Sequence, residues 1–239
     1  SHSRMKRTNL PLLAVVVAAL NVAACAAKGH QEASLTGGRT EAITGTSSER
    51  TSSQRPGASG AVYRETGVAS WYGKDFQSRK TASGELFDMN RLSAAHRTLP
   101  LGTVIRVTNL ENYKSIEVAV NDRGPLVNSR VLEVSYGAAK ELGFAAQGTT
   151  RVKIESAEPV SDAGTFTVLV ATFTEEENAK LLREKLTQRY EVVVIAPFET
   201  NIGTFYRVRV GNYPSEEKAE RIASKLTLEG LEPVVVRKD

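Results

Sequence analysis

The sequence has little of several residues that would decide its chemistry. It holds one cysteine, Cys25, one tryptophan, two methionines and three histidines in 239 residues. With one cysteine no internal disulfide can form, and a zinc cluster of cysteines and histidines is excluded. Only His96 lies in the part that reads as folded, so nothing calls for a metal or an organic cofactor. No apolar run reaches the roughly 20 residues that cross a bilayer; the strongest spans 10–25. The net charge of +4 is modest, and its excess sits early, with seven Lys/Arg against three Glu in residues 1–60. That distribution serves solubility and gives no basic stripe for nucleic acid.

What is present begins with an export signal. Met5-Lys6-Arg7 is a basic start, and "LPLLAVVVAALNVAAC" comes next and ends in small residues. Val22-Ala23-Ala24-Cys25 resembles a bacterial lipobox, which implies lipidation of Cys25 and so accounts for the lone thiol. By the same resemblance Ala26, rather than Asp, implies the inner leaflet of the outer membrane.

Residues 1–25 are therefore expected to be a lipoprotein signal peptide and 26–61 a disordered linker. The linker is Ser, Thr, Gly, Ala and scattered charge, too poor in apolar surface to offset its ordering entropy. "ESAEPVSDAG" (155–164) marks a second break. The expected organisation is a first domain at 62–156, a linker at 157–163 and a second domain at 164–239.

The first domain reads as β-rich. "GVASWYG" (67–73) is a short apolar strand. "TVIRVTNL" (103–110) alternates, and "KSIEVAVNDRG" (114–124) sets Ile116, Val118 and Val120 on one face. "RVLEVS" (130–135) and "TTRVKIES" (149–156) are further strands, with one helix over 136–144 stopped by Gly143. Many short strands with few helices predict a small barrel. The second domain reads βαββαβ. Its first helix is expected over 174–189, with Thr174 as N-cap and Glu177 completing a capping box. Its second helix lies in 213–230, with Ser215 as cap and Gly230 as stop. The pattern is ferredoxin-like, with an internal repeat.

These residues carry a resemblance. "GVASWYGKDF…TASGELFDMNRLSAAHRTLPLGTVIRVTNLEN…VAVNDRGPLVNSRVLEVSYGAAKELG" resembles the rare lipoprotein A (RlpA) family of septal-ring lytic transglycosylases, and "GTFYRVRVGNYPSEEKAERIASKL" resembles a SPOR domain. The resemblance implies a six-stranded double-psi β-barrel followed by a ferredoxin-like SPOR domain. It implies cleavage of the MurNAc–GlcNAc β-1,4 bond in peptide-free peptidoglycan strands, leaving 1,6-anhydro ends, at the division septum. The implied partners are denuded glycan strands, the membrane through Cys25, and septal-ring proteins. A non-catalytic, expansin-like wall-binding protein is the alternative, and a hydrolase using two carboxylates is a third.

The reaction needs few groups. A carboxylic acid protonates the leaving oxygen, and the muramic C6 hydroxyl attacks C1, so no water-activating base is required. By the resemblance Glu85 of "TASGE" matches the family's catalytic acid, Asp122 of "NDRGP" its catalytic-site aspartate, and His96 a third catalytic-site residue beside the Glu, expected to hold a carboxylate or the sugar. Trp71 and Tyr72 are candidates to stack on sugar, and Arg97 and Arg123 to bind glycan or pair with a carboxylate. Arg207 and Arg209 alternate with inward-facing residues and are expected on the exposed sheet face where family members meet glycan. There are three departures from the family's usual pattern. Leu169 replaces a usual Gln, Glu133 stands where Asp is usual (Leu132-Glu133-Val134-Ser135), and Ser78 where Gly is common.

Overall fold

Alternating β-branched and polar residues build strands with one face for a core and one for solvent or a site. The computed structural model describes residues 60–238. The expected signal peptide, Cys25 and the linker as far as residue 59 lie outside the described residues. Six strands close a barrel: β1 (Ala61–Tyr72), β2 (Ala94–Ala95), β3 (Val104–Asn109), β4 (Ser115–Asp122), β5 (Leu132–Ser135) and β6 (Thr149–Val160). Their order around it is β1-β5-β2-β4-β3-β6. The pairs β1–β5 and β2–β4 are parallel and the others antiparallel. Inward-facing Ile105, Val107, Val118, Val120, Leu132, Val134, Val152 and Ile154 fill the interior, each contributing roughly 1.5–3 kcal/mol on burial. The six-residue α1 (Tyr136–Glu141) starts at Ser135, whose Oγ accepts from the Ala138 N–H at 3.2 Å. The turn beyond it uses the left-handed φ of Gly143, +78°.

The second domain runs β7 (Thr165–Phe173), α2 (Glu176–Thr187), β8 (Val193–Thr200), β9 (Gly203–Tyr213), α3 (Glu216–Leu228), β10 (Val234–Lys238). The sheet order β10-β7-β9-β8 is the ferredoxin-like arrangement the sequence predicts. Ala179, Leu186, Ala219, Ala223 and Leu226 of the helices bury against Val168, Val170, Val208 and Val210 of one sheet face.

Two local expectations are corrected, and one strand was not foreseen. The N-cap of α2 is Glu175, with no side-chain cap bond, so the Thr174 capping box does not form. Strand β6 runs on to Val160, because its partner β1 begins at Ala61 and the two stay paired, with Val62 opposite Pro159. The first part of the expected 157–163 linker is therefore strand. Strand β2 is only two residues long, too short for any periodicity to announce it. Ser215 caps α3 as expected, its Oγ accepting from the Lys218 N–H.

Candidate active site

The barrel's strand order sets one rung of four residues across β1, β5, β2 and β4: Ser70, Glu133, Ala95 and Asp122 are successive Cα partners. Glu133 alternates with the inward-facing Leu132 and Val134, so its side chain leaves the barrel interior. Asp122 shares parity with Val118 and Val120 and would point inward in a regular strand. A bulge prevents this. Ala94 pairs with Val120 and Ala95 with Asp122, so Asn121 is an extra residue that re-aims the aspartate after it. Two carboxylates thus flank Ala95 on the outside of the barrel.

Each carboxylate is held. Asp122 Oδ1 accepts the N–H of Ala82 at 3.0 Å and of Arg123 at 2.8 Å. Glu133 Oε1 accepts from Ser70 Oγ at 3.4 Å and lies 3.9 Å from Arg130. Burial pushes Asp122 above the usual carboxylate range, opposed by those two N–H groups and by Arg207. Burial also raises Glu133, Arg130 opposes it, and the Asp122 charge adds to it. Gly124 leaves room for this arrangement: a Cβ there would stand 2.8 Å from Glu133 Oε2. Tyr72 lies beside the pair. It stacks on Phe87 with centroids 4.3 Å apart, and burial and the Asp122 charge raise its hydroxyl pKa. Tyr72 is thus the floor of the site, whereas Trp71 packs on the barrel core and donates Nε1–H to the Ala145 carbonyl.

Glu85 stands on the rim. Its loop closes on itself through the Thr81 N–H to the Glu85 carbonyl at 2.8 Å, turning at Gly84, whose φ is +87°. The loop is fixed to the bulge: the Ser83 N–H donates to the Asn121 carbonyl, and Ala82 to Asp122. The Glu85 side chain is exposed, and Asn121 Nδ2 donates to its Oε2 at 3.1 Å. One bulge residue therefore connects the exposed carboxylate to the half-buried pair.

His96 belongs to a different cluster. It is 2% exposed, and its Nδ1 accepts the N–H groups of Thr98 and Leu99 at 3.2 and 3.0 Å. That assigns the proton to Nε2, which lies 3.2 Å from both Glu65 Oε2 and Tyr63 Oη. Burial would raise Glu65, but hydrogen bonds from His96 and Tyr63 outweigh it and hold its carboxyl below the usual range. The His96 ring contacts neither Glu85 nor Asp122 by any hydrogen bond; the connection is the His96 N–H donating to the Asp122 carbonyl at 3.1 Å. Arg123 donates from Nη1 to the carbonyls of His96 and Leu99, fixing the same loop. Glu65, His96, Arg97 and Thr98 line a polar cavity of about 180 Å³ together with Glu216, Glu220 and Val235.

Arg207 and Arg209 do lie on the sheet face away from the helices, half-buried there, and the barrel covers part of that face while Val194, opposite Arg209, stays exposed. The Arg207 guanidinium sits 3.5 Å over the Phe198 ring and feels the charges of Asp122 and Glu133, while burial lowers its pKa to about 10. Leu169 is 4% exposed, in a small apolar cluster with Val234, Val236 and the barrel's Leu126.

Among the described residues no group of three His, Cys, Asp or Glu is arranged to hold a metal, and no helix is long and apolar enough to cross a membrane. Sequence reasoning did not find Asn121, Ser70 or the Glu65–Tyr63 pair. Glu133 was noted as a departure, standing where Asp is usual, and its place beside Asp122 was not foreseen.

Residues 64–154 match the family model described as lytic transglycolase, and residues 162–237 match the SPOR domain. The endolytic peptidoglycan transglycosylase RlpA of Neisseria meningitidis serogroup B is 40% identical over 169 residues, 66% of this chain and 70% of that protein. The protein of the same name from Pseudomonas aeruginosa strain UCBPP-PA14 is 54% identical over 99 residues, 41% of this chain and 29% of that one. Among solved structures, Streptomyces papain inhibitor aligns over 40% of this chain and 96% of its own, at 19% identity and a TM-score of 0.34.

Proposed function

This chain belongs to the RlpA family of endolytic peptidoglycan transglycosylases, and from that premise we propose that it cleaves the MurNAc–GlcNAc β-1,4 bond of peptide-free glycan strands without water. The observation that carries the reading is the joined set of carboxylates: exposed Glu85 tied through Asn121 to a bulge that also places Asp122 beside Glu133. Glu85, protonated, gives its proton to the glycosidic oxygen as the C1–O bond breaks. The muramic C6 hydroxyl then attacks C1, and its proton returns to the Glu85 carboxylate, so no water is consumed. Asp122 and Glu133 face the cationic charge that develops at C1, and half-buried carboxylates there are screened less than free ones in water.

His96 is a positioning residue in this reading. Its ring holds the 96–99 loop while its N–H fixes the end of β4 at Asp122. Lipidation at Cys25, placement on the periplasmic face of the outer membrane and enrichment at the septum complete the proposal. They rest on the lipobox-like segment and on the SPOR domain, which would bring the barrel to denuded glycan.

The test is product analysis. The purified chain is incubated with amidase-stripped and with intact peptidoglycan, and released sugars are read by mass spectrometry. Anhydro-muramic ends from stripped glycan are expected. Free reducing ends would make it a hydrolase, and binding without products would favour the expansin-like alternative.

A further inference from the structure

The second domain's sheet is seated on the same side of the barrel as the carboxylates. Arg79 anchors one edge, donating from Nε to Asn201 Oδ1 at 2.8 Å and from Nη2 to the Thr200 carbonyl at 2.9 Å. The Asn201 N–H donates to the Asp75 carbonyl at 2.8 Å, and its Nδ2 to the carbonyls of Lys74 and Gln77. Phe198 meets Phe76, centroids 6.2 Å apart. On the other edge, the Arg237 N–H donates to the Arg97 carbonyl at 2.9 Å and Asn128 donates to the Pro233 carbonyl. Between the edges lie Leu169 against Leu126 and Arg207 toward Asp122 and Glu133.

Two facts make this contact informative. The first is register. Leu169 pairs with Arg209, and Arg207 with Ala196, so these side chains share the helix-free face. It is the face that carries both arginines. The second is the sequence departure at Leu169. A polar amide there would be buried against Leu126, Val234 and Val236 and would cost free energy without a partner. Leucine suits an apolar contact and does little for a sugar hydroxyl.

We propose that the second domain's helix-free sheet face is an intramolecular cover for the barrel's carboxylate face, and that peptide-free glycan displaces it. Covered, Arg207 lies over Phe198 within electrostatic reach of Asp122 and Glu133, on the side from which a saccharide would approach them. Its positive charge also opposes the cationic transition state those carboxylates serve. A glycan strand that takes Arg207 and Arg209 removes both obstacles, so recognition by one domain releases the other. The coupling rests on the proposed function for its substrate. The cover itself rests on the interface contacts.

A reversible lock tests it. In the full chain carrying Cys25→Ser, Asp75→Cys and Asn201→Cys join positions whose backbones already share a hydrogen bond, the close approach a disulfide needs. Binding to amidase-stripped glycan strands and turnover are read oxidised and after reduction. The proposal expects at least tenfold weaker binding and tenfold slower turnover when locked, both restored by reductant. Arg79→Ala with Asn201→Ala, which removes the anchor, should bind glycan several-fold more tightly than the unmodified chain. Equal binding in the locked and reduced forms overturns the cover. Absence of turnover in every form would sink the transglycosylase reading, while the binding comparison still decides the cover.

Discussion

Asn121 donates a hydrogen bond from Nδ2 to Glu85 Oε2 at 3.1 Å while its own insertion into β4 turns Asp122 toward Glu133. One residue thereby sets two parts of the site. Asn121→Ala removes the bond to Glu85 and keeps the bulge, because the Asn121 carbonyl still accepts from the Ser83 N–H. The loss of an orienting hydrogen bond of about 1 kcal/mol predicts a kcat lowered roughly fivefold to tenfold. Steady-state kinetics on stripped glycan checks it, with KM expected to hold. An unchanged kcat would mean that the bond does not orient Glu85 during turnover.

Glu133 offers a test that does not depend on activity. Its folded pKa is raised by burial, so ionisation at neutral pH costs stability. By linkage, the native state binds more protons between the unfolded and folded pKa values, so stability falls as pH rises through that window. Glu133→Gln mimics the protonated acid and keeps an acceptor for Ser70. It should raise the midpoint of unfolding at pH 7, with the gain disappearing below the unfolded value of about 4.3. A pH series of denaturant unfolding curves reads this directly, and a loss of stability at pH 7 would show that the Arg130 contact outweighs the burial.

His96→Ala separates support from chemistry. It strands the N–H groups of Thr98 and Leu99, each buried donor costing about 1–3 kcal/mol. The predicted result is a fall in unfolding free energy of about 2–5 kcal/mol. His96→Asn, which retains an acceptor, should recover part of the stability and part of the activity together. Full stability with abolished turnover would instead make the imidazole a direct participant.

The barrel and the ferredoxin-like order were legible because β-branched alternation and helix caps are local signals. Val118 and Val120 in β4, and Ser215 before α3, read directly from their neighbours. The site was legible only where a motif carried it. Strand β2 has two residues, so the rung that unites Ser70, Glu133, Ala95 and Asp122 has no periodicity to announce it. The bulge at Asn121 reverses the face that simple alternation assigns to Asp122. His96 could be counted as the lone folded histidine, but its direction depends on β1, through Tyr63 and Glu65, which lie more than thirty positions away. The departures were visible and their reasons were not. Ser78 stands at φ +62°, a left-handed position where glycine is unstrained. Leu169 makes sense only against the barrel. Arg207 and Arg209 were placed on the right face, but alternation along one strand says nothing of what another domain lays over it.

The central claim is that Glu85 transfers the proton. Wild type and Glu85→Gln are compared on amidase-stripped glycan under the same conditions, with anhydro-muramic ends quantified by mass spectrometry. The amide keeps a contact with Asn121 and cannot give or take the proton, so the account predicts a loss of about 10²–10⁴-fold in kcat with glycan binding retained. Anhydro products from Glu85→Gln at near wild-type rate would contradict it and move the acid to the half-buried pair, Asp122 and Glu133.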